Sequence, residues 1–198
     1  MQTQFTPTPQ MPPPGGFWVR ALARIIDILV VNIINMTAIL AVLFLARLWA
    51  FYSGISPSVV NAAANARPAG LFASLLGAIA YQTFFEGIYG SSIGKLLLRL
   101  HVFKTDGSPC TLWCAFVRSV AYLVDSLFFG AVAFLAMNSS PLRQRLGDRW
   151  AGSVVVRFPA LERPATDWGK FLLALFWATA SCAVLSTFPI WWKLIFGL

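Results

Sequence analysis

Six ionisable side chains lie inside or at the edge of apolar runs: Arg20, Arg24, Asp27, Glu86, Arg118 and Asp125. Two chemistries are open to such a set. Carboxylates taken out of water can bind a cation or relay a proton, because desolvation raises their pKa toward neutrality while nearby arginines oppose the rise. The same groups can simply neutralise one another and hold helices in register, since an unpaired charge at membrane depth costs about 2.5–3.5 kcal/mol on insertion scales. Arg20, Arg24 and Asp27 stand at i, i+4 and i+7 and so share one helix face. Arg118 and Asp125 reproduce the seven-residue offset of Arg20 and Asp27. They do so inside a longer repeat, Val19-Arg20-Ala21-Leu22-Ala23-Arg24-Ile25-Ile26-Asp27-Ile28-Leu29 against Val117-Arg118-Ser119-Val120-Ala121-Tyr122-Leu123-Val124-Asp125-Ser126-Leu127.

The elements that position these residues belong in a bilayer. Of 198 residues, 58% are hydrophobic and 11% charged, where a soluble chain carries about 25% charged residues. The formal net charge is +8, but the basic residues flank apolar runs instead of lining one polar face. That pattern fits orientation by cytoplasmic positive charge and argues against a nucleic-acid partner. Ile28 to Ala46 is free of charge and long enough to cross a hydrocarbon core of about 30 Å. Trp18 and Trp49, ~46 Å apart along a helix, would sit at opposite headgroup layers.

The expected fold is an all-α membrane protein with three full spans and a re-entrant or interfacial helical segment. The spans are about Phe17–Trp49, Gly70–Gly90, and Lys170 to about Phe188. Residues 1–16, with Pro12-Pro13-Pro14 and Gly15-Gly16, read as a disordered tail that lacks the charge and apolar core of a signal peptide. Residues 17–158 form the main membrane domain and 159–198 a C-terminal helical extension. Leu100–Phe103 and Gly152–Phe158 are strand candidates in basic loops, a small two-stranded cytoplasmic element if they pair. Cytoplasmic placement of the N-terminus, the Lys95–Arg99 loop and the loop holding Arg143, Arg145, Arg149, Arg157 and Arg163 conflicts with three simple crossings before the last of these. The conflict is resolved if Trp113–Met137 is re-entrant, broken near Ser126 or Gly130. An ordinary crossing, with the arginine-rich loop outside, is the alternative.

With that topology the six groups gather in the cytoplasmic half of the membrane. Asp27 lies ~10 Å deeper than Arg20, Glu86 ~13 Å in from Lys95, and Gln82 and Asn32 lie nearby. Gly94-Lys95 invites comparison with a phosphate loop, but Tyr89 stands where its first glycine belongs and Leu96 replaces its hydroxyl residue. Gly94-Lys95 reads instead as a helix end that meets headgroups. Cys110, Cys114 and Cys182 lack a disulfide-framework spacing, and Cys110, Cys114 and His101 match no zinc pattern. No catalytic set and no cofactor motif emerges.

Several motifs in order resemble the RDD family of bacterial membrane proteins. They are Arg20-x-x-Ala23-x-x-Ile26-Asp27, Ser92-Ile93-Gly94-Lys95 through Val102, Asp106-Gly107, Arg118, and Arg143 through Val156 with Arg145-Leu146-Gly147-Asp148-Arg149-Trp150. The resemblance covers about residues 15–158. It implies that Arg20, Asp27 and Asp148 are the arginine and two aspartates for which the family is named, and adds Asp148 to the candidate cluster. Ser92 replaces the family's usual threonine, and Gly147 its usual histidine, which removes a titratable neighbour of Asp148.

Residues and resemblance together lead to a non-enzymatic, transport-associated protein of the bacterial cytoplasmic membrane, N-terminus inside. Its candidate cation, proton or ion-pair cluster is Arg20, Arg24, Asp27, Glu86, Arg118, Asp125 and Asp148. The competing expectation is an accessory or assembly subunit of a larger membrane complex, with a purely structural cluster. Either way the partners are the lipid bilayer and copies of itself or other membrane subunits.

Overall fold

The structure, a computed structural model, describes residues 12–54, 67–159 and 166–196. Helix α1 (Phe17–Ser53) leads to α2 (Arg67–Phe84), which continues into a π turn over Phe85–Tyr89. A short helix α3 (Ile93–Leu97) and strand β1 (Leu100–Lys104) follow. Helices α4 (Leu112–Asp125) and α5 (Leu127–Asn138) form a bent pair, then come a second short helix α6 (Leu146–Trp150), strand β2 (Ser153–Arg157) and α7 (Trp168–Phe196).

Local chemistry sets the boundaries. α1 ends at Gly54, which takes the left-handed conformation and donates to the Ala50 carbonyl, closing an otherwise open helix terminus. Ser92 and Thr111 cap α3 and α4 by accepting the N–H of Lys95 and of Cys114. The Asp106-Gly107 turn forms as its residues demand, with Ser108 N–H on the Asp106 carboxylate at 2.8 Å and Gly107 at φ +83°. β1 and β2 pair antiparallel with Val102 opposite Val155, so both strand candidates do meet.

α1 exposes Ile25, Leu29, Ile33, Met36, Leu40 and Phe44, side chains that acyl chains cover at no cost. Among the described residues, two helices are long and apolar enough to cross a membrane: Phe17–Ser53, and Trp168–Leu185 within α7. The pair α4–α5 adds a third candidate, bent by 110° between Leu112–Asp125 and Gly130–Asn138. The bend occurs where it was expected, with Phe128 and Gly130 at φ +51° and +86°. Three full spans is therefore more than the structure supports: α2, expected as the second, is not among these candidates. Its inner face packs on α7 through small groups, with Cys182 Sγ 3.1 Å from the Gly77 carbonyl and Ala174 and Ala178 buried alongside.

Two further expectations change. Pro12–Gly16, read as part of a disordered tail, instead pairs with the outer edge of β2: Gly15 N–H donates to Val155 O at 2.9 Å, and Arg157 N–H to Pro13 O at 2.9 Å. An extended proline-containing segment can join a sheet only at an edge, and β2 offers a free one. Residues 1–11 of that tail lie outside the described residues. Cys110 and Cys114, without a framework spacing, nonetheless form a disulfide. Cys110 precedes the α4 cap and Cys114 lies in its first turn, which brings their Cα atoms to 5.7 Å, inside the range a disulfide spans.

Candidate functional site

At the end of the bundle that carries β1 and β2, five segments contribute charge to one buried network. Asp148, on α6, is fully buried and accepts from Arg20 Nη1 of α1 at 2.7 Å and from Arg118 Nη1 of α4 at 2.5 Å. Its Oδ2 also accepts the Arg145 N–H at 3.1 Å, closing the first turn of α6. Arg118 reaches on to Glu86 of the π turn through Nε at 3.0 Å, and Glu86 in turn pairs with the Lys95 ammonium of α3. Arg20 spends its remaining donors on the carbonyls of Gly15, at 3.0 Å, and Val155, at 3.1 Å. Burial alone would raise the Asp148 pKa, but Arg118, Arg145 and Arg20 outweigh it and hold the carboxyl well below its usual range.

Asp27 and Asp125 do other work. Asp27, buried, accepts from four neutral donors: Tyr81 OH and Gln82 Nε2, both at 3.1 Å, Ser92 Oγ at 2.6 Å and Gly94 N–H at 2.8 Å. It makes no ion pair among the described residues, which corrects the expectation that it neutralises an arginine. The physical reason is local: Gly94 packs so tightly under α1 that a Cβ there would collide with the Ala23 carbonyl oxygen, and this seats the carboxylate on the N-terminus of α3. Asp125 accepts the N–H groups of Leu146 and Gly147 at 3.2 and 3.3 Å and has Arg145 Nε 4.0 Å away. It does not meet Arg118. Arg24 joins no carboxylate among the described residues either; its guanidinium carbon lies 4.0 Å over the Tyr122 ring.

These contacts follow an internal two-fold pattern that extends the repeat of α1 and α4. Asp27 holds the start of α3 at Gly94, and Asp125 holds the start of α6 at Gly147. Gly94 lies against Ala23, and a Cβ on Gly147 would come within 2.8 Å of the Cβ of Ala121, which occupies the Ala23 position of the second copy. Ile93-Gly94-Lys95 and Leu146-Gly147-Asp148 are therefore counterparts. The correspondence runs on through β1 and β2. Ser91 Oγ donates to Leu100 O and Gln144 Nε2 to Ser153 O. Thr105 N–H donates to Gly152 O and Phe158 N–H to Arg99 O. Gly90 and Arg143 share positive φ, as do Arg99 and Gly152. Val102 and Val155, paired with each other, lie on the axis, as do the stacked Arg24 and Tyr122. The copies differ in charge where it matters: Lys95 in one, Asp148 in the other. Glu86 compensates by joining Lys95 to Arg118.

Two residues of the network escaped sequence reasoning. Lys95, expected at a helix end among headgroups and well removed from Glu86, lies in the first turn of α3 and is buried in contact with the Glu86 carboxylate. Arg145 approaches Asp148 and Asp125 at 3.7 and 4.0 Å. The available signal was the glycine shared by Ile93-Gly94-Lys95 and Leu146-Gly147-Asp148, too short to stand out. Asn32 points away, donating to the Ile28 carbonyl of its own helix.

Space within the network is scarce. A cavity of about 30 Å³ lies among Arg20, Arg24, Asp27, Glu86, Lys95 and Arg118, room for little beyond a water molecule. A second cavity, about 190 Å³, opens beside Asp27 and is lined by Asn32, Asn35 and Ser74; the Asn35 side-chain oxygen there is buried without a hydrogen-bond partner.

A family model described as RDD family matches residues 14–152. No curated protein and no solved structure matches the chain. The matched stretch takes in α1 through α6 and ends one residue before β2.

Proposed function

The chain belongs to the RDD family, and from that premise we propose that it is a non-enzymatic polytopic membrane protein acting as an accessory or assembly subunit of a larger integral-membrane complex. The charge network serves as its structural joint. One observation carries this reading: Glu86 and Asp148 are each held by two cationic side chains, and Asp125 by two N–H groups of α6. A transported cation finds no free carboxylate among these three and meets five cationic side chains around the small cavity. What the network does accomplish is to tie α1, the π turn, α3, α4 and α6 into one unit, leaving the long apolar face of α1 for lateral partners.

A transport-associated role keeps one specific support. Among the described residues, Asp27 is the one carboxylate of the network that lacks a cationic partner, and it lines both cavities. Ion flux through proteoliposomes separates the readings. For an accessory subunit, wild-type vesicles show no flux above protein-free vesicles, and mild detergent extraction brings down other membrane subunits at fixed ratio. Cation flux that disappears in Asp27→Asn at unchanged protein level would replace the accessory reading with transport.

A further inference from the structure

We propose that the groove between α1 and the bent α4–α5 pair is a binding site for the phosphodiester head of an anionic phospholipid. The charges come first. Arg20, Arg24, Lys95, Arg118 and Arg145 surround the network's four carboxylates, Asp27, Glu86, Asp125 and Asp148, so the cluster is one anion short of neutrality. Besides Arg118 Nη2 within the network, two guanidinium nitrogens at the edge of the groove lack an acceptor. Arg24 makes no ion pair among the described residues, and its Nε is buried without a hydrogen-bond partner. Arg145 lies 3.7 and 4.0 Å from its nearest carboxylate oxygens, and its Nε is unpartnered too. Both guanidinium groups flank one ring, at 4.0 and 5.5 Å from the centre of Tyr122. Buried guanidinium N–H groups left without acceptors are costly. An anion with several oxygens satisfies them better than water does.

The shape of the groove selects the source of that anion. It has a volume of about 280 Å³, an order of magnitude more than the inner cavity. Arg24, Arg145 and Tyr122 form its polar end, while Ile25 and Ile28 of α1 and Met137 of α5 form an apolar wall. Ile25 and Ile28 are about half exposed, so the wall continues onto the surface that acyl chains cover. Free phosphate would use the arginines and leave the wall bare; a phospholipid uses both. Asp125 also lines the groove, but its carboxylate is committed to the N–H groups of α6. Basic pockets between membrane helices are a recurrent way to hold anionic headgroups.

The test is native mass spectrometry of the whole chain in mild detergent, titrated separately with phosphatidylglycerol, phosphatidylethanolamine and inorganic phosphate. The expected result is one phosphatidylglycerol retained, with at least tenfold preference over phosphatidylethanolamine and no adduct from inorganic phosphate at equal concentration. Arg24→Gln, which breaks no ion pair, should weaken retention about tenfold. Ile28→Trp, which fills the apolar wall and leaves the charges alone, should weaken it as well and decides the matter if the arginine variant does not fold. Equal retention of the zwitterionic lipid, undiminished phosphatidylglycerol binding in either folded variant, or an inorganic phosphate adduct of equal strength would overturn the proposal. The isolated chain suffices, so absence of a partner subunit does not affect the outcome.

Discussion

Arg118 is the side chain on which the network turns. It touches Glu86, Asp148 and the Ser153 hydroxyl, the last at 2.6 Å, and so links both copies of the internal repeat. Removing one partner from a buried ion pair leaves an uncompensated charge and costs about 3–5 kcal/mol. Arg118→Met takes one cation from each of two carboxylates, leaving Glu86 with Lys95 and Asp148 with Arg20, and should sit at the upper end of that range. Arg20→Met leaves Asp148 with Arg118 and should cost less. Denaturant unfolding in detergent micelles checks the order. Were Arg118 a solvated surface side chain, its removal would matter little. His101 offers a second test at this scale. Burial among Tyr89, Phe103 and Phe158, helped by the Lys95 charge, pushes its pKa down to about 4 from 6.5. The unfolded chain then binds the proton more readily than the folded one between these values, so stability is lost as pH falls from 6.5 toward 4. His101→Phe should flatten the fall in melting temperature between pH 6.5 and 4.5, and an unchanged slope would assign it to another group.

The short helices α3 and α6 are too brief to hold themselves together. Each is fixed from outside, by an aspartate one turn below an alanine of the neighbouring long helix. The design needs a glycine at the point of contact. Gly147→Ala would bring its new methyl to 2.8 Å from the Ala121 side chain, and overpacking of this kind costs about 1–3 kcal/mol. Gly94→Ala drives its methyl into backbone instead of a side chain and should be the worse of the two. Gly152→Ala meets nothing within 4 Å and suffers only its left-handed backbone, about 1–2 kcal/mol. Thermal melts should place Gly94→Ala lowest, then Gly147→Ala, with Gly152→Ala nearest the wild type. The π turn belongs to the same scale. It swings Glu86 toward Lys95 and Arg118 before Gly90 ends the helix, and π turns recur where a helix must re-aim a side chain.

For the whole molecule, orientation is the open quantity with the sharpest test. We propose that α3, α6 and both strands face the cytoplasm, as the positive-inside rule favours, which requires α4–α5 to enter and return. The 110° bend is the geometry that such a segment needs. The Cys110–Cys114 disulfide pulls the other way, since disulfides are uncommon in a reducing cytoplasm. Both cysteines are buried and are poor reporters of sidedness. Leu142, exposed on the loop after α5, is a good one. Leu142→Cys in intact cells should resist a membrane-impermeant maleimide and react only after permeabilisation. Labelling from outside would make α4–α5 a true crossing.

Composition and periodicity by themselves determined that the chain is a helical membrane protein, where α4–α5 breaks, which strands exist, and that Arg20, Glu86 and Arg118 belong to one charged cluster. They could do so because insertion energy acts residue by residue: a charge in an apolar run is conspicuous wherever the chain folds, and family motifs supplied Asp148. Partner choice was decided only by tertiary structure. Asp27 and Arg20 share a helix face, yet one is satisfied by amide and hydroxyl donors and the other by a carboxylate 128 residues away. Which donor reaches which acceptor depends on tenths of an ångström at Gly94 and Gly147, on the π turn that redirects Glu86, and on the pairing of β1 with β2. Those distances arise from segments distant in sequence, so no local pattern encodes them.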